Sequence, residues 1–233
     1  IFQRKFKYRI RMIIPCFILC RKNSKGIKNK NKVKINKKTL FEITIDYVKK
    51  SKYVTNIVVS SDDKKILKKA KQKKCFIINR PKNLSGDKIS SEDVLKHALK
   101  MFENQFGKTK FSGYVQVTEP FRPKYILDDC FKKLIKSNLD TCFAAYAQYK
   151  NFWYFKNNKL IRLTNSSERK KPRQSKLPIL REDTGIALAT KSSYLRKGER
   201  IGKKVNCIIY SDPKFNVDIN NPVDLSLARK IGR

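Results

Sequence analysis

Short apolar runs separated by stretches of helical periodicity constrain this chain more than any other feature. Residues 14–20 (IPCFILC), 56–60 (NIVVS), 75–78 (CFII), 113–117 (GYVQV) and 142–147 (CFAAYA) read as strands rich in β-branched, aromatic and aliphatic side chains. Between them, Leu40, Phe41, Ile43, Ile45 and Val48, then Ile66, Leu67 and Ala70, then Val94, Leu95, Ala98, Leu99 and Phe102, recur at the 3–4 residue spacing of one helix face. Ile126, Leu127, Cys130, Phe131, Leu134 and Ile135 continue the alternation. Strands and helices in strict turn, joined by short links, predict an α/β domain with a mostly parallel sheet covered on both faces. Ligands of such sheets bind beyond the carboxyl ends of the strands.

Those ends carry the polar motifs. Residues 20–31, CRKNSKGIKNKN, leave the first strand with cations, amides and a hydroxyl that can grip an anion. Ser60, Ser61 and Asp62 follow the second strand, with Ser61 and Asp62 placed to cap the next helix. Arg80 follows the third, and Gln116, Val117 and Thr118 the fourth. Ser90 and Asp93 form a capping-box pattern, which makes Ser91 a candidate cap as well as a candidate ligand.

After residue 147 the pattern changes. Residues 151–155 and 160–163 predict a hairpin with aromatic and aliphatic arms around a polar turn, and a projecting apolar arm needs a partner surface. A basic link at 167–176, strands at 185–190 and 205–210, and a last helix at 222–231 complete the reading.

The 233 residues, 40% of them hydrophobic, suffice for one sizeable core. With 56 Lys and Arg against 19 Asp and Glu, the net charge of +37 attracts phosphates and nucleic acids. The lysines are spread along every segment, whereas a nucleic-acid footprint concentrates on one face. No specific nucleic-acid partner is therefore expected, although a basic nucleic-acid-binding protein is the alternative reading. Six cysteines without a paired C-x-x-C knuckle, and His97 as the only histidine, argue for free thiols in a reducing, cytoplasmic setting and against a zinc site. Residues 1–20 imitate a secretory signal, but Pro15 interrupts the apolar run and no small-residue cleavage site follows. Residues 1–12, at their head, are expected to be a leader outside the fold. No stretch reaches the roughly 20 apolar residues of a membrane span.

Taken in order, RKNSKGIKNKN, VVSSDD, RPKNLSGD, QVTEPFR and VDINNPVDL resemble the acylneuraminate cytidylyltransferases, which include CMP-sialic acid and CMP-legionaminate synthetases, across residues 13–231. The resemblance implies a Rossmann-like, three-layer nucleotidyltransferase fold over residues 13–233, with a homodimer built through the hairpin region 148–176. It also implies magnesium-dependent transfer of CMP from CTP to the anomeric hydroxyl of a 2-keto sugar acid, with release of pyrophosphate. Carried over residue by residue, Arg21, Ser24 and Lys30 contact the triphosphate, Asn31 belongs to the same loop, and Arg80 and Ser91 hold the cytidine. Gln116, Arg122 and Arg181 face the sugar acid, Asp218 and Asn220 hold the metal, and Arg21, Lys30 and Asp218 carry the chemistry.

The departures concentrate on the acceptor side. Asn220 stands where the family has a second aspartate, so that Asp224 is a candidate substitute ligand. Glu119 stands where it has a serine, and the arginine-x-asparagine-glycine pattern is lengthened to REDTG at 181–185. Leu188 replaces an aromatic, and in the first loop Asn23 replaces a glycine, a position where asparagine tolerates left-handed backbone. A family member that binds nucleotide without turnover is the second alternative these changes leave open.

Overall fold

The computed structural model describes residues 12–232; the basic leader at 1–11 lies outside the described residues. In chain order the elements are β1 (Pro15–Cys20), a 3-10 turn (Lys30–Lys32), β2 (Lys34–Ile35), β3 (Lys38–Thr39), α1 (Leu40–Val48), β4 (Asn56–Ser61), α2 (Lys64–Gln72) and β5 (Phe76–Asn79). Then come α3 (Ser91–Phe106), β6 (Phe111–Val115), α4 (Ile126–Lys136), β7 (Thr141–Gln148), β8 (Trp153–Lys156), β9 (Lys159–Arg162) and α5 (Ser166–Arg169). Last are β10 (Ile179–Glu182), β11 (Leu188–Lys191), α6 (Ser192–Lys197), β12 (Val205–Tyr210) and α7 (Pro222–Ile231).

β1 lies inside the sheet, between β4 and β6, and is apolar toward both faces. Its Cys16, Ile18 and Cys20 pack with α1, α2, α4 and α7, while Phe17 packs with α3 and α6 on the opposite face. β1 pairs in parallel with β4 and β6, and β4 in parallel with β5. Three layers result, helix, sheet, helix, as the alternation predicts.

The sheet reverses locally beyond β6. β11 runs antiparallel to both β6 and β7, and β10 runs antiparallel to β7. Because β12 occupies one edge of β7 in parallel, β10 and β11 share the other edge. The strand expected at 185–190 therefore starts only at Leu188, and residues 183–187 bulge between β10 and β11.

Two further differences bear on the site. No helix follows the first loop directly: the 3-10 turn and the β2–β3 hairpin intervene, and α1 is capped separately by a Thr39–Glu42 capping box. The cap of α2 is Asp63, not Ser61 or Asp62; Ser61 Oγ instead accepts from the Asp63 N–H.

β8 and β9 form the expected hairpin. Asn157 and Asn158 both have positive φ, 50° and 56°, the backbone that a two-residue type I′ turn requires. Its arms leave Trp153, Phe155 and Leu160 exposed, the last two by 68% and 66%.

Candidate active site

The first loop is tethered at several points before it meets any ligand. Asn31 Nδ2 donates to the Arg21 carbonyl (2.8 Å), the Lys22 N–H donates to Asp62 (2.7 Å), and Lys32 pairs with buried Asp63 (2.5 Å). Asn31 thus staples the loop, and Lys32, one of its many lysines, anchors it. Left-handed backbone falls at Asn29 (φ 56°), not at Asn23.

The far end of the chain closes over this loop. A Cβ at Gly26 would lie 1.8 Å from the Asn220 carbonyl oxygen, so only glycine lets the two backbones approach. Lys30 Nζ donates to Asn220 Oδ1 (3.0 Å), and burial lowers the lysine pKa while nearby Asp218 raises it. Arg21 and Lys25 reach the opposite wall, where each holds one oxygen of Asp87, at 2.7 and 3.2 Å. Because α1 begins only at Leu40, the loop presents these cations and not a helix N-terminus.

Across from the loop, Arg80 is buried, and its guanidinium donates to Ser60 Oγ (3.2 Å) and the Ser60 carbonyl (2.8 Å). Burial pushes its pKa down. Ser90 caps α3 by accepting from the Asp93 N–H (3.0 Å). Ser91 is therefore not the cap, and it lines the same cavity as Gln116 and the buried Tyr114. Tyr114 carried no signal in the sequence beyond being a strand residue.

These groups enclose one cavity of about 470 Å³, lined by Arg21, Ser24, Lys25, Gly26, Lys30, Asn31, Arg80, Ser91, Tyr114, Gln116, Thr118 and Asn220. Leu19, Leu84, Ile89, Val94 and Val117 add apolar surface. A mixed cavity of that size suits a small organic ligand with a polyanionic end.

The acceptor-side residues behave differently. Arg122, expected to face the sugar acid, is buried beneath the site: it donates to the Ile186 carbonyl (3.1 Å) and to the carbonyls of Gln116 and Gly185, and lies over the Tyr47 ring. It braces Gln116 and does not line the cavity. Arg181, expected to offer its fork to a carboxylate, already forms a bidentate pair with Asp183 (2.7 and 2.9 Å) and a bond to Asn216. Asp183 also accepts from Tyr210. Gln116 itself lines the cavity, its N–H held by the Gly185 carbonyl (2.8 Å).

Asp218 stands beside the cavity, exposed, accepting from Asn220 Nδ2 (2.7 Å). Asp224 is engaged elsewhere: its Oδ2 accepts from the N–H groups of Asn220 and Asn221 (2.8 and 3.0 Å) as the third-position partner in the capping box of α7, whose cap is Asn221. Among the described residues no group of three or more His, Cys, Asp or Glu could hold a metal by itself.

A parallel-centred α/β sandwich with this cavity at its strand ends defines an α/β nucleotidyltransferase. A family model, cytidylyltransferase, matches residues 15–230, and the chain belongs to that family. It is 27% identical over 221 residues to the pseudaminic acid cytidylyltransferase of Campylobacter jejuni subsp. jejuni serotype O:2, covering 92% of this chain and 94% of that one. Over 105 residues, 45% of this chain and 44% of the relative, it is 33% identical to the CMP-N,N'-diacetyllegionaminic acid synthase of the same organism. The fold matches a CMP:2-keto-3-deoxy-manno-octonic acid synthetase complexed with CTP, with TM-score 0.67, 14% identity, and coverage of 94% of this chain and 98% of that one.

Proposed function

We propose that the chain transfers CMP from CTP to the anomeric hydroxyl of a 2-keto sugar acid of the nonulosonic type, releasing pyrophosphate. The observation that supports this most directly is the make-up of one cavity: the cations Arg21, Lys25 and Lys30 of the first loop, the buried Arg80 held by Ser60, and Gln116 and Asn220 share its lining. Displacement at the α-phosphorus needs the polyphosphate held in line and the charge on the leaving group neutralised. Arg21, Ser24 and Lys30 are suited to the triphosphate. Arg80 and Ser91 offer donors at fixed positions for a pyrimidine edge.

A hard divalent cation takes oxygen ligands in an octahedral set completed by water and substrate phosphates. At the cavity rim Asn220 turns its amide nitrogen to the Asp218 carboxylate and its oxygen to Lys30, so Asp218 would supply the one formal charge for such a cation and Asn220 would join it with the amide turned about. Bound there, magnesium supplies charge neutralisation at the leaving pyrophosphate. Lys30, bonded to Asn220, brings a further cation to the same corner. Family membership supports this reading over a nucleic-acid-binding role.

The exposed apolar hairpin supports a homodimer, which light scattering on the purified chain tests; a monomer at micromolar concentration refutes it. Six free cysteines are consistent with a reducing, cytoplasmic compartment. No helix among the described residues is long and apolar enough to cross a membrane. The deciding assay is pyrophosphate release from each of the four nucleoside triphosphates against pseudaminic, legionaminic, N-acetylneuraminic and 2-keto-3-deoxy-manno-octonic acids. Turnover with CTP and one of these acids is expected. Preference for another nucleotide overturns the reading.

A further inference from the structure

Glu119, the lengthened turn at 181–185 and Asn220 are remote in sequence and meet in the folded chain. Glu119 is 8% exposed, and its Oε2 is buried without a hydrogen-bond partner. A Cβ on Gly185 would lie 1.8 Å from that oxygen and 3.0 Å from Gln116 Cδ, so the bare glycine makes room for a carboxyl and a carboxamide side by side. Arg122 holds the backbone carbonyls of Gln116 and Gly185 from below, and its own Nη1 is buried without a partner. On the other side, the Ile219 N–H donates to the Thr118 carbonyl (2.9 Å), which ties the residue before Glu119 to the segment carrying Asp218 and Asn220.

A buried oxygen left without a partner is costly, and such a group calls for an explanation in a ligand or an ordered water. Four charged neighbours bear on it: Arg122 and Arg181 favour its ionised form, Asp218 and Asp183 oppose it. Burial outweighs them all and pushes its pKa up to about 8, so near neutral pH the group is a carboxylic acid able both to donate and to accept. A carboxylate is a poor partner for it, since Asp183 and Asp218 already surround it with negative charge.

We propose that the Glu119 carboxyl belongs to the acceptor subsite, where it hydrogen-bonds a neutral hydroxyl or acylamino group of the sugar acid and so helps to select the acceptor. The proposal rests on the CMP-transfer reading. It places an acceptor contact immediately beside Gln116, on the strand end that also shapes the nucleotide cavity.

The test compares the unaltered enzyme with Glu119→Ala and Glu119→Gln, measuring pyrophosphate release from CTP with the same four sugar acids and CTP binding separately by thermal shift. Glu119→Ala raises the acceptor KM about tenfold and leaves the CTP-induced shift and the KM for CTP in place. Glu119→Gln, which keeps a neutral donor and acceptor, restores the acceptor KM to within about threefold of the original. An unchanged acceptor KM in Glu119→Ala overturns the proposal. So does parallel loss of CTP binding, which marks a structural prop, or failure of Glu119→Gln as severe as that of Glu119→Ala, which marks a required charge. If the unaltered enzyme turns over none of the acids, the CTP reading falls first, and this inference with it.

Discussion

The two sides of the cavity are built on opposite plans. On the nucleotide side, Arg21, Lys25 and Lys30 are held by single contacts at the surface, to Asp87 and Asn220, and their heads are free to be re-partnered. On the acceptor side, Arg122 is bound to backbone carbonyls through Nε and Nη2 and Arg181 to Asp183 and Asn216, while Glu119 Oε2 and Arg122 Nη1 are buried without partners. A site for a polyanion needs cations available at little cost. A site for a neutral or singly charged acceptor needs a rigid frame, which here is made from the family's own arginines. The contrast predicts that substitutions on the first side damage turnover and spare stability, and that those on the second do the reverse.

The largest effect is expected at Lys30. Its ammonium is half-buried and makes one bond to an exposed amide, so Lys30→Ala changes the unfolding midpoint little. On the proposed reaction, losing this cation from the departing phosphates lowers kcat/KM by about a thousandfold or more, about 4 kcal/mol of transition-state stabilisation. Steady-state pyrophosphate release together with urea unfolding separates the two. A variant that is active but unstable breaks the comparison.

Arg122→Leu tests the other half. Removing the guanidinium leaves the carbonyls of Gln116, Gly185 and Ile186 without that donor. A loss of about 3–4 kcal/mol in urea unfolding is expected, by the cost of stripping partners from buried polar groups. Arg122→Lys recovers only part of it, because an ammonium cannot fork between carbonyls.

The division of labour was only half legible in the sequence. The core strands and helices could be read because each is a period-2 or period-3.6 pattern with apolar residues facing the sheet. β10, α6 and the β2–β3 hairpin escaped, since they are short and largely polar, and their pairing with distant strands decides their conformation. The motifs located the site residues at the strand ends. What they do there depends on partners far along the chain: Lys30 meets Asn220, and Arg122 meets Ile186. Residue type alone cannot distinguish an arginine that binds ligand from one that braces the wall. Glu119 stood out as a departure, but its burial against Gly185 follows from the bulge at 183–187, which no local pattern announces.

Glu119 sharpens the comparison through pH. Its carboxyl is pushed up from the ordinary range to about 8 by burial. Below about pH 4.5 both the folded and unfolded chains hold the proton, and the group contributes nothing. Between there and pH 8 the unfolded chain has released a proton that the folded chain keeps, so stability falls as pH rises, by about 2–5 kcal/mol across the window. In urea titrations from pH 5 to 8, Glu119→Gln removes this group's share of the slope and is the more stable protein at pH 8. Equal slopes in the two proteins refute a buried neutral acid on this side.

The smallest effect belongs to Asp87, and it probes how loosely the nucleotide side is held. Its carboxylate takes Arg21 at 2.7 Å and Lys25 at 3.2 Å, in the position of an anion bound by the loop. All three side chains are well exposed, so the pairs add at most about 1 kcal/mol to folding. A triphosphate that needs the same two cations must take them from Asp87. Asp87→Asn removes the competing charge, and the Kd for CTP falls about two- to fivefold in calorimetry at low salt, with the difference shrinking as ionic strength rises. Weaker CTP binding in Asp87→Asn would show instead that Asp87 holds Arg21 and Lys25 in place for the nucleotide. The cations would then be as firmly framed as Arg122 and Arg181, and the two sides would follow one plan.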